Sequence, residues 1–97
     1  MGQESKIEKT VKSYARSKGF YVRKFKSPGN RAVPDSLFLS PAGVVVFIEF
    51  KAPGKEPSPT QQREINEINK RNGRAYAVDS ITKGKEIIDS ILKVTVL

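Results

Sequence analysis

Pro34-Asp35 and, after thirteen intervening residues, Glu49-Phe50-Lys51 hold the charges in this chain best placed for chemistry. Glu49 and Lys51 flank Phe50 at the end of the most apolar run, which begins at Val44. Side chains alternate along a strand, so Glu49 and Lys51 point to one face and Phe50 to the other. A hairpin between the two segments returns Asp35 to the same end. Two carboxylates at one locus repel, and a divalent cation relieves the repulsion. Mg²⁺ takes oxygen ligands, often one or two carboxylates with water and a substrate phosphate. The Phe50 carbonyl offers a further oxygen. A lysine beside such a centre steadies charge that builds on an attacking hydroxide or a crowded phosphorus. The chemistry this set suits is hydrolysis of a phosphodiester. The competing account is a surface Glu49–Lys51 ion pair with Asp35 as a turn residue. It leaves charges at the end of an apolar strand without a purpose.

The elements that must position these residues follow from periodicity and turn residues. Residues 5–18 read as a helix, with Ile7, Val11, Tyr14 and Ala15 on one stripe and Gly19 as a stop. Glu4 and Glu8 lie one turn apart on the same flank of that stripe. Residues 20–26 alternate as a strand with Arg23, Lys24 and Lys26 on or near its polar side, and Ser27-Pro-Gly-Asn-Arg31 is a loop. Residues 34–40 form a second strand. Pro41-Ala-Gly43 is a hairpin connection, and residues 44–51 form a central strand covered on both faces. Ser58 caps a helix over 59–72, with Pro59 at its first position and Gly73 at its end. A strand over 74–79 and a helix over 83–93 follow, the latter with Ile87, Ile88, Ile91 and Leu92 on one face. Residues 94–97 are an apolar tail. The order α-β-β-β-α-β-α, with one hairpin and one crossover helix, specifies a small α/β fold: a mixed sheet flanked by helices.

Composition narrows the field. The 97 residues suffice for one domain, and a chain this short has a thin stability margin that a partner subunit would widen. The absence of cysteine excludes disulfides and zinc–thiolate sites, and the absence of histidine excludes triads and most transition-metal sites. No apolar run reaches a membrane span and no signal-peptide core precedes the first helix, which places the chain in the cytoplasm. Eighteen Lys and Arg against ten Asp and Glu give a charge of +8, which favours a polyanionic partner. Nine of the eighteen lie within residues 1–31, against only Glu4 and Glu8. Most of these form a solvated face. Lys24, Lys26 and Arg31, beside the acidic segment, are the first candidates for DNA phosphate contacts, and Lys55 is a weaker one. Tyr21 could stack on a splayed base, whereas Phe25 suits the core better.

Taken together, several stretches carry a resemblance. They are Glu4-Ser-Lys-Ile7, Gly29-Asn-Arg-Ala-Val-Pro-Asp35, Ile48-Glu-Phe-Lys-Ala-Pro-Gly54 and Ser58-Pro-Thr-Gln61. In this order they resemble the VRR-Nuc family of the PD-(D/E)xK nuclease superfamily, from the first helix to about Val78. The family commonly has valine at the position of Phe50, a mild change where only the carbonyl is used. The resemblance implies a restriction-endonuclease-like core, Mg²⁺ or Mn²⁺ as cofactor, and Asp35, Glu49 and the Phe50 carbonyl as metal ligands. It implies Lys51 as the catalytic lysine and Gln61 as an orienting glutamine. An acid of the first helix would complete the metal shell: Glu4 by the motif, Glu8 by analogy with junction resolvases. Acids there also suit the helix dipole, and Gln61 could be an ordinary helix residue.

The resemblance is to stand-alone phage and bacterial members, not to the large Fanconi-associated nuclease. Such members are similar to archaeal Holliday-junction resolvases, which implies a homodimer cutting branched or four-way DNA in the host cytoplasm. No membrane and no small-molecule organic cofactor is implied. Two other functions compete: a basic module that binds nucleic acid without cleaving it, and an interaction protein for an acidic partner. Both need the charge but not the carboxylates.

Overall fold

The computed structural model describes residues 2–94. Its elements are α1 (Gln3–Ser17), β1 (Tyr21–Lys24), β2 (Ser36–Leu39), β3 (Val45–Phe50), α2 (Pro59–Asn69), β4 (Ala75–Val78) and α3 (Ile81–Leu92). The expected order holds. The strands form one sheet, β1-β2-β3-β4, antiparallel except for the parallel β3–β4 pair that α2 connects. No helix among the described residues is long and apolar enough to cross a membrane.

The β2–β3 hairpin is fastened by Ser40. Its N–H donates to the Val44 carbonyl at 2.8 Å, and its hydroxyl accepts from the Ala42 and Val44 N–H groups at 3.2 and 3.0 Å. Gly43, at φ 86°, takes the left-handed conformation that the tight loop requires. The resulting register pairs Leu39 with Val45 and Ser36 with Ile48.

One face of the sheet presents Val22, Phe38, Val46, Ile48, Phe50 and Val78 to Ile7, Val11 and Ala15 of α1 and Ile87, Ile88 and Ile91 of α3. Rings of Phe38 and Phe50 meet with centroids 6.3 Å apart. The two helices approach at Gly84, where a Cβ would press on both methyls of the fully buried Val11. The opposite face is covered unevenly. Helix α2 buries Ile65, and Asn69 at its end imitates a strand, accepting from the Ala75 N–H at 2.8 Å and donating to its carbonyl at 3.0 Å. Over β1–β3 this face carries the Phe25–Phe47 pair, 5.1 Å between centroids, with Tyr21 and Val45 exposed.

Several boundaries shift, each for a local reason. Helix α1 starts at Gln3 rather than residue 5. Strand β1 stops at Lys24, because the chain turns into the Ser27–Asn30 bridge. Helix α2 ends at Asn69 rather than residue 72: Asn72 itself adopts φ 64°. Gly73 is needed for space, since a Cβ there would meet the Ile68 side chain and carbonyl. Helix α3 begins two residues early because the Ser80 hydroxyl caps it, accepting from the Lys83 N–H at 3.1 Å. Leu92 leaves the buried face. Strand β3 is covered on both sides only over Ile48–Phe50, and Val45 is exposed. Of the apolar tail, Val94 packs on the core, and residues 95–97 lie outside the described residues.

The Gly84 contact makes a test of this packing. Alanine there gains about 1 kcal/mol of helix propensity, but overpacking a buried contact costs about 1–3 kcal/mol. Against a Val11 with no room to move, the clash prevails. Gly84→Ala is expected to lower the urea midpoint, and a midpoint at or above wild type would show that α1 and α3 are not held this closely.

Candidate active site

Asp35 stands one residue ahead of β2, its carbonyl held by the Phe25 N–H at 2.8 Å. The β2–β3 register, carried one step beyond Ser36–Ile48, sets Asp35 opposite Glu49. Glu49 is only 7% exposed. Its Oε2 accepts from Gln61 Nε2 at 3.3 Å and lies 3.6 Å from Lys51 Nζ. The surface ion pair considered above is therefore not what forms: the pair exists, but its acid is buried. Burial and the charge of Asp35 push the Glu49 carboxyl up to about 7, against the opposing pull of Lys51 and a main-chain hydrogen bond from Asp35. Burial also raises Asp35. The Ser36 hydroxyl, donating to Oδ1 at 2.9 Å, opposes that rise; Glu8 adds to it; Lys12 and Lys24 draw it back.

Gln61 has two duties. Its Oε1 accepts from the Ser58 N–H at 2.9 Å while the Ser58 hydroxyl accepts from the Gln61 N–H, a reciprocal cap that starts α2. That cap fixes the amide whose Nε2 reaches Glu49. The helix cap and the contact with Glu49 thus belong to one side chain.

Two clefts flank the loop between β1 and β2. The first, about 350 Å³, is lined by Lys24, Phe25, Lys26, Arg31 and Asp35, among others. The second, about 360 Å³, holds Arg31, Ser58, Thr60 and Gln61. Arg31 borders both. Three of the four expected phosphate contacts therefore surround Asp35. Lys55 does not: it lines a separate cleft with Glu56, Asp79 and Lys83. Of the two helical acids, Glu8 acts on Asp35 and pairs with Lys12 Nζ at 2.6 Å. Glu4 is exposed in the first turn of α1. Phe25 packs on Phe47 as expected, and exposed Tyr21 lies under the Arg23 guanidinium at 3.9 Å.

Ser36 and Lys12 escaped the sequence reading. Alternation sends Ser36 to the other face, and only its short hydroxyl lets it turn back to its neighbour's carboxylate. Lys12 carried a legible signal, the Glu8–Lys12 spacing that favours a helical ion pair.

Among the described residues no three acidic, histidine or cysteine side chains converge on one point in a metal-binding cluster. Asp35 and Glu49, opposed across the hairpin, with the carbonyl of the next residue, Phe50, could offer oxygen donors to a cation. Burial raises the proton affinity of both acids, and the repulsion of Asp35 adds to it at Glu49; a donor set of oxygens alone suits a hard divalent cation.

Glu49 also gives the pH dependence of stability a sign. A carboxyl whose folded pKa is about 7, above its ordinary 4.5, binds its proton more tightly in the folded state. Its contribution is most favourable below pH 4.5 and is lost as pH rises through 7. In chelator, Glu49→Gln is expected to melt progressively higher relative to wild type across that interval. A Tm difference constant with pH would show that Glu49 ionises normally.

No family model matches this chain. A protein of Acyrthosiphon pisum secondary endosymbiont phage 1, described as "Putative nuclease p44", is 48% identical over 78 residues, covering 80% of this chain and 84% of the relative. A solved structure described as a VRR_NUC domain superposes with a TM-score of 0.85 at 30% identity, over 92% of this chain and 97% of that one. The order of elements, the opposed Asp35 and Glu49, and both likenesses agree: the chain belongs to the VRR-Nuc nuclease family.

Proposed function

We propose that this protein is a Mg²⁺- or Mn²⁺-dependent, structure-selective endodeoxyribonuclease, working as a homodimer on branched DNA in the manner of a junction resolvase. The observation that carries the reading is Glu49, buried opposite Asp35 and in contact with both Lys51 and Gln61. The Lys51 ammonium and the Gln61 amide offset only part of the cost of burying this carboxylate beside Asp35, which suits a place that receives a cation.

Asp35, Glu49 and the Phe50 carbonyl would hold the cation. When bound, it supplies Lewis-acid stabilisation of the phosphate charge and lowers the pKa of water. The chain's own residues do the rest. Lys51, 19% exposed at its side chain, brings a fixed positive charge to the carboxylate pair and stabilises charge that grows on phosphorus oxygens in the transition state. Gln61 keeps the Glu49 carboxylate from rotating. Lys24, Lys26 and Arg31 neutralise phosphates on either side of the bond to be cut. Ser36 holds one oxygen of Asp35 through its hydroxyl.

Size supports the dimer: a chain of 97 residues gains buried surface by isologous pairing. Paired cuts across a four-way junction also need two sites at a fixed distance. Branched DNA of this kind arises in the cytoplasm of a phage-infected or bacterial cell.

The test is cleavage of an end-labelled immobile four-way junction and its linear duplex, with Mg²⁺, with Mn²⁺ and with chelator. Paired nicks on opposing strands of the junction are expected, lost in chelator. Asp35→Asn and Lys51→Ala are expected to lower the rate by about a hundredfold or more with the fold retained. Equal cutting of both substrates would keep the nuclease and discard junction selectivity. Salt-sensitive binding without cleavage would favour the non-cleaving module.

A further inference from the structure

We propose that the outer flank of α1 is a second phosphate-binding track, which carries the DNA backbone onward from the Asp35 cleft. The inference rests on the nuclease reading above and extends its substrate contact to a surface outside the active site.

Ser5, Glu8, Lys9, Lys12 and Arg16 share one side of α1, beside the buried stripe of Ile7, Val11 and Ala15. With Lys24 of β1 they line an open cleft of about 400 Å³. Lys24 also lines the Asp35 cleft, so the two depressions adjoin at that residue. Four cations face one carboxylate here. Glu8 is the acid, and Lys12 already holds it at 2.6 Å. Lys9, Arg16 and Lys24 are exposed, and among the described residues none has a carboxylate partner.

Helix stability does not explain this arrangement. Arg16 in the last turn suits the helix dipole, but Lys9 lies in the first half of the helix. Lys9, Lys12 and Arg16 follow one another at i+3 and i+4, where like charges repel. A polyanion removes that repulsion. From Lys9 to Arg16 the helix rises about 10 Å, the distance along a duplex axis over which one strand carries about three phosphates. Continuity selects the occupant: a strand whose phosphate enters the Asp35 cleft passes Lys24 and meets this flank next. An acidic protein would have no reason to share Lys24 with a cleavage site. The consequence is that the substrate needs a helical arm on the α1 side of the bond to be cut.

The experiment is equilibrium binding of the labelled junction and duplex, measured against salt in the non-cleaving Asp35→Asn chain. Adding Lys9→Gln and Arg16→Gln together is expected to flatten the log–log salt dependence by up to about two units, one per phosphate contact. The control is Lys70→Gln with Arg71→Gln. It removes the same charge from the end of α2, where both cations pair with Glu67, and is expected to leave the slope unchanged. Circular dichroism confirms that each variant keeps its helices. An unchanged slope in the α1 variant, or an equal loss in the control, overturns the track and reduces the effect to net charge. The two readings fail separately. Wild-type protein that cuts DNA with a slope indifferent to Lys9 and Arg16 overturns only the track. Protein that binds through them but never cuts overturns the nuclease reading and leaves the track standing.

Discussion

Ser40 closes the β2–β3 hairpin from main chain and side chain at once, and the pairing it sets decides which residues meet at the sheet's far end. Side chains in a strand alternate, so a slip of one residue would turn all of β2 over. Phe38 would leave the core, and Asp35 would no longer stand opposite Glu49. The same register that buries Phe38 against Phe50 therefore brings the two carboxylates together. Core packing and site geometry are one constraint, and hydrophobic burial holds the acids in a position their mutual repulsion opposes.

Around that repulsion the fold places partial compensation. Lys51 stands two residues along the strand, Gln61 reaches over from α2, Ser36 donates to Asp35, and Lys12 draws Glu8 to itself. None of these neutralises Glu49, whose carboxyl keeps a proton affinity near neutrality. The family assignment gives this imbalance its context. The surplus negative charge is concentrated in a small, strongly basic protein, on the strand end that borders the basic clefts.

Much of this was legible in the sequence, and the parts that were not share a physical cause. Alternation over 44–51 and the turn at Pro41-Ala-Gly43 suffice to place Glu49 beside Lys51 and near Asp35. Ser58-Pro59 marks the start of α2, where its cap forms. Ends of elements are harder to read, because they depend on contacts from elsewhere. Asn72 rather than Gly73 takes the left-handed conformation, since Gly73 is spent on its approach to Ile68. Leu92 falls on the apolar side of a helical wheel, yet at the last position of α3 it is 36% exposed. The choice between Glu4 and Glu8 depends on where α1 crosses the sheet, which no local pattern encodes. Glu8 is near enough to Asp35 for its charge to raise that carboxyl's proton affinity, while its own side chain is held by Lys12. Lys55 follows the motif of Glu49 and Lys51 by one residue, but the turn at Gly54, tied to Asp79 at 3.1 Å, carries it to another cleft.

The Asn69 bridge to Ala75 has a mechanical side. It pins α2 to β4 at one end of the helix, while Gln61 works at the other end, eight residues away. That distance is about 12 Å of helix, so a tilt of about 10° at the pin would swing the glutamine amide by about 2 Å. A hydrogen bond already at 3.3 Å would not survive the swing. Helix α2 is in this sense a lever with its fulcrum in the sheet. The precision with which one asparagine imitates a strand is the precision with which a buried carboxylate, on the far side of the helix, is aimed.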